Sequence, residues 1–179
     1  MRKTKIDPWS EEWEKSYCHE EGKLKEVLKD ELVDIFHIGS TSIPTVGYAK
    51  PIIDILIVVR NIVNVDLYKS KMLILGYESK GENGIAGRRY FTKGKDNRTH
   101  HVHIFQMGSE FIKTHLNFKE YLLQNPIEAK KYGELKINLA KQYPEVHHKY
   151  QEEKQQFVNK LVGKANEWAR QRNSPKLGN

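Results

Sequence analysis

The chain has 179 residues, 38% hydrophobic and 30% charged, enough for one ordinary domain with a real core and unlike a disordered polymer. Thirty Lys and Arg against 23 Asp and Glu give a formal net charge of +7. That excess keeps phosphate-bearing partners in view, a small ligand first and RNA last, although it also serves plain solubility. A single cysteine, Cys18, excludes an intrachain disulfide and suits a reducing compartment.

The start, MRKTKIDPWSEEWEKSY, is charged and lacks the apolar core of a signal peptide. The longest apolar run, PIIDILIVV, falls far short of the roughly 20 residues of a membrane helix. The expectation is a cytoplasmic protein with no membrane contact. Asp7-Pro8-Trp9 looks like a helix start, and the helix should reach about Lys29 with Trp13, Tyr17, Leu24 and Leu28 on its apolar positions. VDIFHIGS and KPIIDILIVV read as strands, with a Ser/Thr/Pro/Gly-rich connection that has room for one helical turn. VDLYKSKMLILGY reads as a helix ending at Gly76. RRYFTKG and THHVHIFQM then form a strand pair joined through Gly94 to Asn97. From Ser109 the period becomes helical, with Tyr132, Leu135, Leu139 and Tyr143 on one stripe. Tyr150, Phe157, Leu161, Ala165 and Trp168 form another. Pro126 and Pro144 divide this tail into about three helices, and RQRNSPKLGN should fray.

Two features of HIGSTSIPTVGYAKPIIDILIVV bear on chemistry. Gly39, Ser40 and Thr41 at a strand end leave backbone N–H groups free for phosphate oxygens, although any tight turn uses the same residues. Asp54 is an acid inside an apolar strand, which is unfavourable unless the carboxylate is paired or metal-bound. Its partner is either a cation among Lys50, Arg88 and Arg89, or Mg²⁺.

This segment resembles the signature of the GrpB family, whose members look like the nucleotidyltransferase fold. RTHHVHIF is similar to the family's His-rich strand, and HLNFKEYLLQNPIEAKKYGELKINLA with Tyr150, Lys154 and Phe157 to its helical tail. The resemblance implies a single α+β domain: a small mixed β-sheet with an N-terminal helix over residues 1–108, C-terminal helices over 109–170, and a disordered tail over 171–179. It also implies a nucleotide or other phosphate-bearing ligand, with Mg²⁺ or Mn²⁺ as candidate cofactors and neither required. Family members fused to dephospho-CoA kinase suggest a supporting role.

One position departs from transfer chemistry. A two-metal site needs carboxylates at i and i+2 of a strand, on one face, to hold ions about 3.5–4 Å apart. Here Asp54 is followed by Leu56, and leucine ligates nothing. His101 and His103 share a strand face and offer an alternative, as ligands for Zn²⁺ or Mn²⁺ beside Asp54 or as acid/base groups, unless they are merely hydrogen-bonded strand residues. Arg88, Arg89 and Arg98 flank the sheet and suit phosphate. Lys136 and Lys154 match recurrent family positions, although a solvated helix face is the better account of each from the residues alone. Two functions follow: a phosphate-ligand enzyme using Asp54, His101 and His103, or a binding module that has lost transfer chemistry.

Overall fold

The computed structural model describes residues 4–173. Helix α1 (Glu12–Leu28) carries Glu12 and Glu14 in its first turn and Lys25 in its last, the charge order favoured by the helix dipole. Trp13, Glu20, Leu24 and Leu28 lie on its buried face at helical spacing. The helix starts later than the sequence suggests, because Asp7–Pro8 forms a short strand, β1, paired antiparallel with β3 (Tyr48–Ala49). Trp9 gives the reason. Its backbone N–H donates to the Gly47 carbonyl at 2.8 Å and its indole N–H to the Thr41 carbonyl at 2.9 Å, tying this segment to a loop instead of a helix.

A five-stranded mixed sheet follows, built from β2 (Leu32–Ile38), β4 (Ile53–Val59), β5 (Tyr77–Ser79), β6 (Arg88–Lys93) and β7 (His100–Gln106). Its spatial order is β2-β4-β7-β6-β5, with β4 and β7 parallel and the other neighbours antiparallel. Ile53, Ile55, Ile57 and Val59 face the α1 side with Val102, Ile104 and Phe91. Leu56 faces the other side, against Ile38 and Phe105. Burial on both faces makes β4 read as one continuous apolar run. Before β5, a 3₁₀ turn at Val63–Tyr68 leads into the short helix α2 (Lys69–Ile74), so only the second half of the expected helix is α-helical. Three-residue β5 is too short to show a period in sequence.

Three helices complete the chain: α3 (Glu110–Gln124), α4 (Pro126–Gln142) and α5 (His147–Asn173). Pro126 occupies the first turn of α4, where its missing N–H has no helical partner to lose. Tyr121, Leu122, Ala129, Tyr132, Leu161 and Ala165 close on Ile43 and Val46, so the tail packs over two 3₁₀ turns, Ser40–Ser42 and Pro44–Val46. Gly133 sets that contact: a Cβ there would lie 1.9 Å from the Val46 carbonyl oxygen. The tail expected to fray from Arg170 is still helical through Asn173, and positions 174–179 lie outside the described residues. No helix among the described residues is long and apolar enough to cross a membrane.

Candidate functional site

Strand register assembles the first wall. Pairing of β4 with β7 sets Asp54 beside His101 and Leu56 beside His103, and pairing with β6 brings Tyr90 to His103. These side chains share the sheet face that looks towards the C-terminal helices. His101 Nδ1 and His103 Nε2 each lie 3.3 Å from Asp54 Oδ1. A carboxylate can only accept, so both rings donate to the one oxygen. Burial pushes the Asp54 carboxyl up, but the two imidazole hydrogen bonds prevail and hold it well below the usual carboxylate range. Hydrogen bonds to an ionised group contribute about 1.5–3 kcal/mol each, which is how an apolar strand accommodates this acid. On its far side His103 Nδ1 lies 3.5 Å from Arg88 Nη1. Guanidinium cannot accept, so Nδ1 accepts and the His103 proton sits on Nε2, facing Asp54.

Gly39 explains the turn before the strand. Its φ of +70° and ψ of 179° suit only glycine. A Cβ there would stand 2.7 Å from Asp54 Oδ2. The glycine thus makes room for the carboxylate itself.

The opposite wall comes from the tail. Ser40 hydrogen-bonds the Tyr132 hydroxyl, and burial pushes that phenol up to about 12. One turn on, Lys136 is only 3% exposed, its Nζ 4.4 Å from the Tyr132 ring centre. α5 repeats the spacing, with Lys154 Nζ 5.7 Å from the Tyr150 ring. Lys50 reaches the same ring at 4.7 Å. Among the described residues no carboxylate lies within ion-pair distance of Lys136 or Lys154; Asp54 acts on both at longer range. Burial first, then the Lys154 and Lys50 charges, bring the Lys136 ammonium down to about 7. Tyr150 is fully buried, and its hydroxyl and His101 Nε2 have no hydrogen-bond partner among the described residues.

The family model described as GrpB protein matches residues 3–164. This chain belongs to the GrpB family. It is 44% identical to YqkA of Bacillus subtilis over 97% of its length, spanning half of that protein. It is 34% identical to the glutamate-rich protein GrpB of Alkalihalophilus pseudofirmus, over 86% of this chain and 90% of that one. The crystal structure of GrpB from Enterococcus faecalis superposes with a TM-score of 0.85 at 41% identity, over 90% of this chain and 96% of that chain. A Cid1 poly(U) polymerase bound to MgATP superposes with a TM-score of 0.51 at 12% identity, over 76% of this chain and 43% of that chain. That likeness shows the nucleotidyltransferase-like fold, as the GrpB resemblance implied, and nothing of the ligand.

Within this GrpB chain, Gly39, Ser40, Lys50, Asp54, His101, His103, Lys136 and Lys154 are brought into one cluster. Three expected residues take other work. Thr41 is 2% exposed and its hydroxyl sits 2.9 Å from His37 Nε2, inside the α1 side of the molecule. Arg89 alternates to the other sheet face and grips Asp66 with two hydrogen bonds of 3.0 Å. Arg88 is held by the Glu82 and Asn83 carbonyls at 3.1 and 2.7 Å, so it positions His103. Arg98, half-buried between β6 and β7, acts on Tyr90 through its charge.

The sequence reading missed His115, whose ring from α3 lies 5.5 Å from that of His103. Burial, reinforced by His103, brings it down to about 4. Tyr132 and Tyr150, which the helical period places on apolar stripes, also line the lysines of this wall. The repeated spacing of Tyr132 to Lys136 and Tyr150 to Lys154 was the available signal, since a lysine one turn from a buried aromatic shares its face.

The donor set does not fit a divalent ion. Among the described residues no group of three or more His, Cys, Asp or Glu is placed to hold a metal. Asp54, His101 and His103 do meet, but both rings spend a nitrogen on the same carboxylate oxygen. Leu56 is fully buried where a second acid would stand.

Proposed function

We propose that this GrpB protein binds a small phosphate-bearing ligand, nucleotides included, in the cleft between the Gly39–Ser40 turn, the Asp54 edge of the sheet and the lysines of α4 and α5. The observation that carries this reading is Lys136, an almost fully buried lysine with Lys154 near it and no carboxylate at ion-pair distance among the described residues. Such a group is unfavourable in a folded core unless something supplies negative charge. A phosphate group supplies it, and the ammonium groups, the Ser40 hydroxyl and the open backbone of the turn are donors of the right kind.

Binding is favoured over nucleotidyl transfer by Leu56, buried against Ile38 and Phe105 on the face where catalysis would require an acid. The protein is then a ligand-binding module that keeps the transferase fold.

Lys136→Met tests the assignment, because methionine keeps the stem and removes the charge. AMP, ATP and inorganic phosphate are titrated calorimetrically into wild type and variant. At least one should bind wild type and lose ten-fold or more in affinity in the variant. Without ligand, the variant should be as stable as wild type or more so by about 1–3 kcal/mol, as when a buried charge is replaced by an apolar group. Equal affinity in both proteins would show that the lysine serves the fold alone.

A further inference from the structure

Asp54 is the one acid that the strand register delivers to this cleft, and its surroundings are those of an anion already neutralised. Oδ1 receives N–H groups from His101 and His103 at 3.3 Å each, and Oδ2 abuts Gly39 so closely that no Cβ fits between them. Divalent magnesium requires near-octahedral oxygen ligands, normally one or two carboxylates together with water and phosphate. The next residue on the same strand face is Leu56, packed against Ile38 and Phe105 with no exposure. Softer ions prefer imidazole, yet the ring nitrogens nearest the carboxylate carry the protons that bind it, and Arg88 engages the other nitrogen of His103 at 3.5 Å. That leaves His101 Nε2 as the single lone pair of this pair of rings, one ligand where an ion needs several. A cation entering here would also meet the positive charges of Lys136 and Lys154, the groups that a phosphate needs.

We propose that the cleft takes its phosphate group as the metal-free anion, with the Lys136 and Lys154 ammonium groups as counter-ions in the place where a metal complex would otherwise supply charge. This rests on the phosphate-binding reading above and adds to it that Mg²⁺ and Mn²⁺ take no part. Asp54 is then a positioning residue. It fixes the directions of His101 and His103, and it holds the Gly39 turn open from behind. Lys136 also sits on Gly133's helix, one turn after Tyr132, so the seating of α4 on the Val46 carbonyl sets how far its ammonium reaches into the cleft.

Two measurements on the full chain decide the matter. In the first, AMP and inorganic phosphate, which themselves bind Mg²⁺ weakly, are titrated in EDTA and again in excess Mg²⁺. The affinity should agree within about two-fold between the conditions, and Lys154→Met should weaken both equally. Affinity that appears only with Mg²⁺, or improves ten-fold with it, overturns the metal-free assignment while leaving phosphate binding intact. Second, Mn²⁺ alone is titrated into wild type and Asp54→Asn and followed by its electron paramagnetic resonance signal. No stoichiometric Mn²⁺ should be bound by either protein. A bound equivalent that Asp54→Asn abolishes overturns the assignment whether or not any phosphate compound binds. Failure of both phosphate probes and ATP in both conditions sinks the phosphate reading, and this inference with it.

Discussion

Replacing Gly39 by alanine probes the tightest contact in the cleft. The added Cβ would lie 2.7 Å from Asp54 Oδ2 and 3.1 Å from Asp54 Cβ, closer than side chains tolerate. The backbone at φ +70° and ψ 179° adds about 1–3 kcal/mol of strain for any residue with a Cβ. Relief requires the carboxylate to back away, which lengthens contacts that already stand at 3.3 Å to His101 and His103. Weakening two hydrogen bonds worth about 1.5–3 kcal/mol each brings the total to about 3–5 kcal/mol. For a chain of this size each kcal/mol moves the midpoint by about 2–4 °C, so Tm should fall by roughly 10 °C. Gly84→Ala is the control, because Gly84 also has positive φ, +83°, but nothing stands within 4 Å of its added Cβ. Calorimetric melts of the three proteins give the comparison. If Gly39→Ala loses no more than Gly84→Ala, the packing of the turn against Asp54 carries no energy and the account of the Gly-Ser turn fails.

Acid should destabilise this protein early. His37, His100 and His115 stand near 4 in the folded chain against an ordinary 6.5, chiefly through burial. Below about 6.5 the unfolded chain binds protons that the folded chain refuses, so stability should fall as pH drops to about 4 and level off for these groups below it. At about 1.4 kcal/mol per unit, the two most buried rings, His37 and His100, account for up to about 3 kcal/mol each; urea midpoints that stay constant from pH 7 to 4 would refute this. Glu20, held near 2 against burial by Lys93, Tyr77 and Lys23, adds its own loss only below about 4.5. Gly133→Ala should destabilise by about 2 kcal/mol or more, because the Val46 carbonyl 1.9 Å from the new Cβ is backbone and cannot swing aside. Alanine's helix advantage of about 1 kcal/mol works the other way, so an unchanged or raised Tm would mean that α4 is not seated as described.

Much of the architecture was legible because it is periodic. The strand pairs, the switch to helical spacing after Ser109 and the breaks at Pro126 and Pro144 all follow from local rules. The elements that escaped were short or held from a distance. β5 has three residues, and Asp7–Pro8 became a strand because Trp9 binds the loop near Thr41 and Gly47. Within the site, alternation put His101 and His103 on one strand face, and the β4–β7 register brought that face to Asp54. What alternation cannot show is which neighbour each arginine meets: Arg88 and Arg89 are adjacent in sequence, yet one braces His103 and the other grips Asp66 on the opposite face.

The sequence by itself determined the family, the α+β class and the faces within each strand, Asp54 with Leu56 and His101 with His103, since period and pattern are properties of local chain geometry. Only the tertiary structure decided that Lys136 leaves the solvent and that Lys154 becomes half-buried near it. Their burial depends on α4 and α5 closing over the Gly39–Val46 turns, a contact between segments far apart in the chain. No local pattern encodes that distance, and charge burial is what turns two ordinary helix lysines into candidate phosphate ligands.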